Sequence, residues 1–249
     1  YFALDPEFRC RRPAVNAYYA RVFGEVFADD SCKLNTTVYL NSRQPNLDLK
    51  LAIDIDPSRV YRIDYLFASK GKAIMSRWGH AMYRLVVCAP ERKEAGPDCL
   101  NDVAYHVAVS YRANVNDIVI SYWKGIIGKY PSQMFLIPLR EVLVEYNKEE
   151  LRDLLSLPLK LTDSEKKNFL YGVLENYWSY LGSYKFLTNN CGTEALHLLK
   201  GSLEGDLNGL NAVTPLRLYK TLGHQDITDL TLDDDRAKAE TEGYLFRSK

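Results

Sequence analysis

The middle of the chain carries a run of short strand-like segments, and this run constrains the fold more than any other feature. In the third segment, Val103–Tyr111, large apolar residues alternate with small or polar ones, which is the pattern of a strand with one buried face. The segments are Val60–Ala68, His80–Val87, Val103–Tyr111, Ile118–Trp123 and Met134–Ile137. Two further strand candidates precede them, at Thr37–Leu40 and Leu47–Ile55. Successive strands of this kind predict an antiparallel sheet.

Helical patterns flank this sheet on both sides. Residues 12–28 predict one helix, and two capping boxes, Asn147 with Glu150 and Thr162 with Glu165, predict two more. The first of these should end near residue 156, and the second should be long. Shorter helices are predicted from Cys191 to Lys200 and after Pro215. Strands in the centre with helices before and after them indicate an α+β fold in which helices pack on the sheet.

The length of 249 residues fits one large domain. We expect an N-terminal helical and loop segment, residues 1–58, that packs on a core formed by residues 59–225. The last residues, 226–249, are polar and predict a loose tail.

The charge balance excludes several classes of function. The chain has 32 Lys and Arg against 32 Asp and Glu, so its formal net charge is zero. A nucleic-acid binder usually carries a basic excess, and we expect no nucleic-acid partner. No apolar stretch is long enough to span a membrane. Contact with a membrane surface would therefore depend on an apolar groove or on a segment outside this sequence.

The number of cysteines is five, which is odd. Two close pairs, Cys10 with Cys32 and Cys88 with Cys99, bracket short segments in the way that disulfides of exported proteins do. Four cysteines allow three connectivities, and four reduced thiols in a cytosolic protein are the alternative. If the close pairs are disulfides, the unpaired cysteine is Cys191.

Cys191 follows Asn189 and Asn190, which cap helices well, and it should lie in the first turn of a helix. There the helix dipole and the free backbone N–H groups favour a thiolate, the nucleophilic form. The same region, with Asn190 and Gly192, could support an oxyanion on a bound acyl group. The alternative is a buried free cysteine with no chemical role.

A thiol nucleophile needs a base, and the chain has four histidines. His80 begins a predicted strand directly after Gly79, where a substrate could reach it. His106 lies on the next predicted strand between Ala104 and Ala108, so it could stand beside His80 and orient its imidazole. The alternatives are a strand-end histidine for His80 and a half-buried core histidine for His106.

Other chemistries lack their motifs. The cysteines and histidines do not have the spacing of zinc ligands, and no glycine-rich phosphate loop or serine-hydrolase elbow occurs. We expect neither a metal nor a cofactor.

Four segments together resemble one bacterial exported family. They are Gly79-His80 on a strand, YNKEELRDLL at 146–155, LTDSE at 161–165 and YKFLTNNCGTEALHLL at 184–199, and the opening DPEFRCRRPAV at 5–15 is similar too. The family is the periplasmic N-terminal domain of Lnb-type lipoprotein N-acyltransferases. The order of histidine before cysteine is similar to circularly permuted papain-like folds of the NlpC type.

The resemblance implies a thiol enzyme of the bacterial envelope, in the periplasm or at the outer face of the inner membrane. Cys191 would match the nucleophile of the family and His80 its base, and His106 is our prediction for the third member. A phospholipid acyl chain would pass to the thiol and then to the amino terminus of a lipoprotein. The alternatives are a cysteine peptidase or amidase acting on cell-wall peptide, and a non-catalytic envelope binding module. The oligomeric state stays open.

Overall fold

A computed structural model describes residues 10–24, 35–41, 51–72, 76–114, 122–186, 188–204, 210–211, 213–223 and 236–248. Within these ranges the helices are α1 Pro13–Phe23, α2 Tyr122–Ile126, α3 Leu139–Leu143, α4 Asp163–Ser179, α5 Cys191–Ser202, α6 Pro215–Gly223 and α7 Arg236–Thr241. The strands are β1 Thr37–Tyr39, β2 Ala52–Asp54, β3 Val60–Ala68, β4 His80–Val87, β5 Val107–Ala113, β6 Tyr130–Pro138, β7 Leu154–Pro158, β8 Gly182–Tyr184 and β9 Leu245–Phe246.

Seven of the described strands form one antiparallel sheet in the order β8-β6-β5-β4-β3-β7-β9. The strands β1 and β2 pair separately as a small ribbon. The α+β class with an antiparallel sheet and packed helices is therefore confirmed. The predicted strands Val60–Ala68 and His80–Val87 have the bounds of β3 and β4.

One face of the sheet packs against α4, α5 and α6 and holds the main core. Two buried tyrosines bind the helices to the sheet through their hydroxyl groups. Tyr83 donates to the carbonyl of Ala195 in α5 at 2.7 Å, and Tyr65 donates to the carbonyl of Pro215 at 2.9 Å. The first bond fixes α5, which begins at Cys191, against the middle of the sheet, and the second fixes the start of α6.

The opposite face carries a second cluster, which α3 and the residues after it cover. A π-helical turn, Val144–Glu149, follows α3 and brings Tyr146 onto this face. The buried apolar residues of the second cluster are Leu66, Ala68, Met82, Ala108, Ile137, Leu139, Val142, Tyr146 and Leu154.

Two of the predicted strands differ from the structure. Residues 103–105 form a 3-10 turn, and β5 begins only at Val107, because Asp102 ends the preceding turn and its carboxylate binds Arg92 and the Ala89 N–H. The predicted strand Ile118–Trp123 overlaps α2 at its end, and its residues 118–121 lie outside the described residues.

The helix predicted from Asn147 to residue 156 is the largest error. Residues 154–158 form β7, which pairs with β3, and Asn147 is a buried residue of the π-helical turn rather than a cap. The spacing of Asn147 and Glu150 imitates a capping box, but pairing with a central strand outweighs this weak local preference.

The C-terminal residues also differ from the predicted loose tail. α7 leads into β9, which extends the sheet by pairing with β7. The carbonyl of Gly243 accepts a hydrogen bond of 2.9 Å from Arg84, a fully buried residue of β4. Residues 243–246 are thus part of the folded sheet.

The described cysteines agree with the prediction of paired cysteines and a free Cys191. Cys88 and Cys99 form a disulfide, Cys191 is free and buried, and Cys10 is disulfide-bonded as well. Cys32, the predicted partner of Cys10, lies outside the described residues. None of the helices in the described ranges is long and apolar enough to cross a membrane.

Candidate functional site

Cys191 is the first residue of α5, as the sequence predicts, and Asn190 caps the helix. The side-chain oxygen of Asn190 accepts hydrogen bonds from the backbone N–H groups of Gly192 at 2.8 Å and Thr193 at 3.3 Å. Its side-chain amide donates to the carbonyls of Phe186 and Val213. Asn190 therefore holds the start of the helix between two loops and fixes the position of the thiol.

Gly192 is needed for packing at this point. A Cβ on Gly192 would lie 2.9 Å from the backbone nitrogen of Pro215, so no larger residue fits there. Its N–H is already donated to Asn190. The predicted oxyanion support from Gly192 would therefore share this N–H with the helix cap.

The electrostatics of the thiol differ from the prediction. Only 4% of Cys191 is exposed, and burial raises the pKa of its thiol above the ordinary value. Four donors act against this effect: the N–H groups of Ala81, Gly192 and Cys191 itself, and the hydroxyl of Tyr184. Desolvation of the charged form outweighs them, so the resting group is a neutral thiol rather than a thiolate.

His80 begins β4, and a tight turn places it there. Gly79 has a φ of +79°, and a Cβ on it would lie 2.3 Å from the ring of Phe67, so the turn requires glycine. The imidazole Nε2 of His80 lies 2.9 Å from the hydroxyl oxygen of Ser110, and its ring stacks on Tyr146.

The imidazole of His80 is neutral. Burial and then the positive charges of Arg112 and Arg152 lower the pKa of His80 well below its ordinary value. A neutral imidazole can accept a proton, so this state is compatible with the predicted role of a base.

The relation between Cys191 and His80 is set by the alternation of the strand. Successive residues point to opposite faces, so Ala81 packs in the main core with Cys191 while His80 faces the second cluster. The thiol and the imidazole lie on either side of the His80–Ala81 peptide. The hydrogen bonds among the described residues include none that joins them.

His106 does not stand beside His80, and this prediction is wrong. In the antiparallel register Met82 pairs with Ser110 and Leu85 with Val107, so His106 lies at the far end of β4. Its Nδ1 accepts from Arg84 at 3.0 Å and its Nε2 lies 2.9 Å from the carbonyl oxygen of Cys99. Both ring nitrogens are used to bind the disulfide loop to the sheet.

The position beside the His80 ring, where the sequence predicts His106, is occupied by Ser110. Arg112 donates from Nε to the Ser110 oxygen at 3.0 Å, and it is held by two hydrogen bonds to the carboxylate of Glu145. Because Arg112 can only donate, the Ser110 hydroxyl hydrogen is left for the Nε2 of His80. This network fixes the ring of His80.

Two residues of the candidate site were not predicted. Ser110 lies between the apolar residues Val109 and Tyr111 of β5, and with the correct start of β5 the register would have placed it next to His80. Tyr184 precedes the Asn-Cys pair by several residues in β8, and no sequence rule singles it out.

A polar cleft of about 260 Å³ lies between α4 and α5, away from this site. Its lining includes Tyr111, Glu175, Glu194 and His197 but neither Cys191 nor His80. Within the described part of the chain, no group of three or more His, Cys, Asp or Glu could hold a metal ion.

Comparison with known proteins gives one result. The family model described as the Lnb N-terminal periplasmic domain matches residues 48–225, which include the whole of β3 to α6. The searches of curated proteins and of solved structures returned no significant match. The matched region contains Cys191, His80 and Ser110.

Proposed function

The chain belongs to the Lnb N-terminal periplasmic domain family, and from this premise we propose that it transfers acyl chains through a thioester on Cys191. The proposed acyl donor is a phospholipid, and the proposed acceptor is the amino terminus of a lipoprotein. The family places the domain in the periplasm, and the Cys88–Cys99 disulfide agrees with an oxidising compartment.

One observation supports this proposal above the others. The buried free thiol of Cys191 lies at a capped helix start, beside the N–H of Ala81 and the hydroxyl of Tyr184, and one peptide away from a neutral imidazole. A structural cysteine needs only apolar neighbours. Donors directed at sulfur are what an acyl-enzyme site requires.

In the first step the Cys191 sulfur attacks the carbonyl carbon of the donor ester. The thiol proton passes to His80, because a raised thiol pKa means that the proton must leave as the S–C bond forms. His80 faces the second cluster whereas the thiol lies in the main core, so the transfer needs a turn of the His80 ring toward the sulfur or one bridging water.

The oxyanion of this step would be stabilised by the N–H groups of Ala81 and Cys191. Both act on the sulfur, as does the Gly192 N–H, which is shared with the side-chain oxygen of Asn190. When the C–O bond breaks, His80 returns the proton to the leaving lysophospholipid oxygen. In the second step the amine of the acceptor attacks the thioester, its proton passes to His80, and the thiolate leaves and is reprotonated.

We further propose that the core is a circularly permuted papain-like fold. The order of His80 on a strand, Ser110 on the next strand and Cys191 at a later helix start fits this arrangement. A cysteine peptidase on the same fold would use the same residues, and only the acyl donor and acceptor would differ.

The test uses a phospholipid whose acyl chain carries an alkyne. The purified chain should become labelled, and hydroxylamine should remove the label because it cleaves thioesters. Cys191→Ala should remain unlabelled, with unchanged thermal unfolding as the control for folding. Label retained by Cys191→Ala would contradict the mechanism. A label from a peptide ester but not from phospholipid would favour the peptidase, and no label from either would favour a non-catalytic module.

A further inference from the structure

Large apolar side chains are exposed at one end of the sheet. Trp78 is 61% exposed, Trp123 75%, Ile126 45% and Ile127 56%. Exposed tryptophans are uncommon on the surface of a water-soluble domain, and a group of them usually marks a contact surface. We call these four residues the apolar rim.

The topology brings the members of the rim together. Trp78 directly precedes β4, and the other three lie in or after α2, in the connection between β5 and β6. The register pairs the end of β5 with the start of β6, Ala113 with Ser132, next to the start of β4. All four residues therefore lie at the end of the sheet where β4 and β6 begin.

This is also the end of the sheet that holds the thiol. The hydroxyl of Tyr184 in β8 contacts Cys191, and β8 and Phe186 after it bind the segment that carries Ile126 and Ile127. The N–H of Phe186 donates to the carbonyl of Gly125 at 3.1 Å, and the Ser183 hydroxyl donates to the carbonyl of Gly128 at 2.6 Å. The rim thus borders the site of Cys191.

The segments around the rim are basic although the whole chain is neutral. Residues 76–80, 122–130 and 181–190, which carry the rim and border Cys191, contain four basic residues and no Asp or Glu. The basic residues are Arg77, Lys124, Lys129 and Lys185, and each is exposed. The methylene chain of Lys185 lies against Gly128, which places its charge beside the rim.

We propose that the apolar rim and these basic residues dock on the surface of an anionic phospholipid bilayer. Tryptophan prefers the boundary between headgroups and acyl chains, and basic residues next to it are attracted to anionic headgroups. A protein partner is less suited to this surface, since lysine is depleted from protein interfaces. The inference rests on the proposed function, and it adds how a buried thiol is presented to a lipid.

Docking is tested by cosedimentation of the chain with vesicles. Vesicles of phosphatidylethanolamine and phosphatidylglycerol should bind it more tightly than vesicles of phosphatidylcholine. Lys129→Gln with Lys185→Gln should weaken binding to the anionic vesicles about 25-fold, at about fivefold for each charge. Trp123→Ala should weaken it about tenfold, as expected for loss of one buried large side chain.

Matched controls are two exposed residues outside the rim, Lys93 and Leu51. Lys93 is exposed in the disulfide loop that follows β4, roughly 23 Å along the strand from His80. Lys93→Gln, and Leu51→Ala as the apolar control, should bind vesicles like the unchanged protein. Equal binding of the rim variants and these controls would overturn the proposal, as would absence of vesicle binding by the unchanged protein. If the rim instead binds a protein partner, the rim variants will bind vesicles as well as the unchanged protein does.

The failure of docking and the failure of the proposed function can be told apart. Cys191→Ala should bind vesicles normally although it forms no thioester. Rim variants should form the thioester normally from a short-chain phospholipid dissolved below its micelle concentration, and slowly from vesicles. A rim variant that is equally slow with the dissolved donor would show that the rim acts in the chemistry rather than in docking.

Discussion

The imidazole Nε2 of His80 lies 2.9 Å from the hydroxyl oxygen of Ser110, and that oxygen also accepts a hydrogen bond from Arg112. This relationship decides the resting state of the ring. A buried serine hydroxyl needs an acceptor for its hydrogen, and Nε2 is the acceptor at hand. The proton of the neutral imidazole then lies on Nδ1. For His80 to take a proton from Cys191, this hydrogen bond must reverse or break, so Ser110 controls the availability of the base.

The first prediction concerns Ser110. Ser110→Ala should slow thioester formation about 10- to 100-fold and shift its pH dependence, because the ring loses its positioning partner. The measurement is the rate of alkyne labelling against pH, together with the nitrogen chemical shifts of His80 that report its tautomer. His106→Gln is the control, since His106 lies at the other end of β4, and it should leave the labelling rate unchanged. Equal rates for Ser110→Ala and the unchanged protein would contradict this role.

The second prediction concerns the ionisation of Cys191. Burial raises the pKa of its thiol, so alkylation by iodoacetamide should be slow at neutral pH and increase into the alkaline range. The measurement is the alkylation rate by mass spectrometry across this range. Tyr184→Phe removes one donor to the sulfur and should move the midpoint to still higher pH. A midpoint below that of a free thiol in a peptide would show that the helix start dominates over burial.

The third prediction links His106 to stability. Burial, then the charge of Arg84, lowers the pKa of His106 from 6.5 to about 4. Below about pH 6.5 the unfolded chain binds a proton that the folded protein does not bind until about pH 4, so the free energy of unfolding falls as the pH falls through this window. Between about pH 7 and pH 5 this one group removes roughly 2 kcal/mol.

Urea unfolding at the two pH values measures this loss. His106→Gln should be less stable at neutral pH, and it should lose about 2 kcal/mol less than the unchanged protein on acidification. The lowered pKa of His80 acts in the same direction in both proteins, so it cancels in the comparison. Parallel losses in the two proteins would show that His106 does not carry the effect.

The fourth prediction concerns the disulfide loop. Cys88→Ser with Cys99→Ser opens a loop with a sequence separation of 11, which should lower the free energy of unfolding by about 3 kcal/mol. The loop follows the end of β4 that is remote from Cys191. The folded double variant should therefore be labelled at the same rate as the unchanged protein. If the double variant is not labelled at a temperature at which it is folded, the disulfide loop is not independent of the Cys191 site.

Several parts of the fold could be predicted because their signals are local. The capping box of Thr162 and Glu165 and the Asn190 cap start helices where the sequence places them. β3 and β4 are recognised because most of their residues are apolar. The position of Cys191 in the first turn of its helix follows from the same local chemistry.

The parts that could not be predicted depend on pairing and burial. β7 has the composition of a helix, rich in leucine, and only its pairing with β3 makes it a strand. β5 begins at Val107 rather than Val103, and its register with β4 pairs Ser110 with Met82. Ser110 therefore lies beside His80, where the sequence predicts His106. The raised pKa of Cys191 reflects the depth of the thiol, which the sequence does not contain.

The hydrogen bond between Arg84 and the carbonyl of Gly243 has a consequence for the order of assembly. An exported chain crosses the membrane from its amino terminus, so the strands around Arg84 emerge well before residues 243–246. Until those residues arrive, a fully buried guanidinium lacks one of its acceptors, and β7 lacks its outer neighbour. The sheet therefore has its full set of partners only with a segment beyond residue 225, where the family match ends. A chain cut at that boundary would lack both the carbonyl acceptor that Gly243 offers to Arg84 and the outer neighbour of β7.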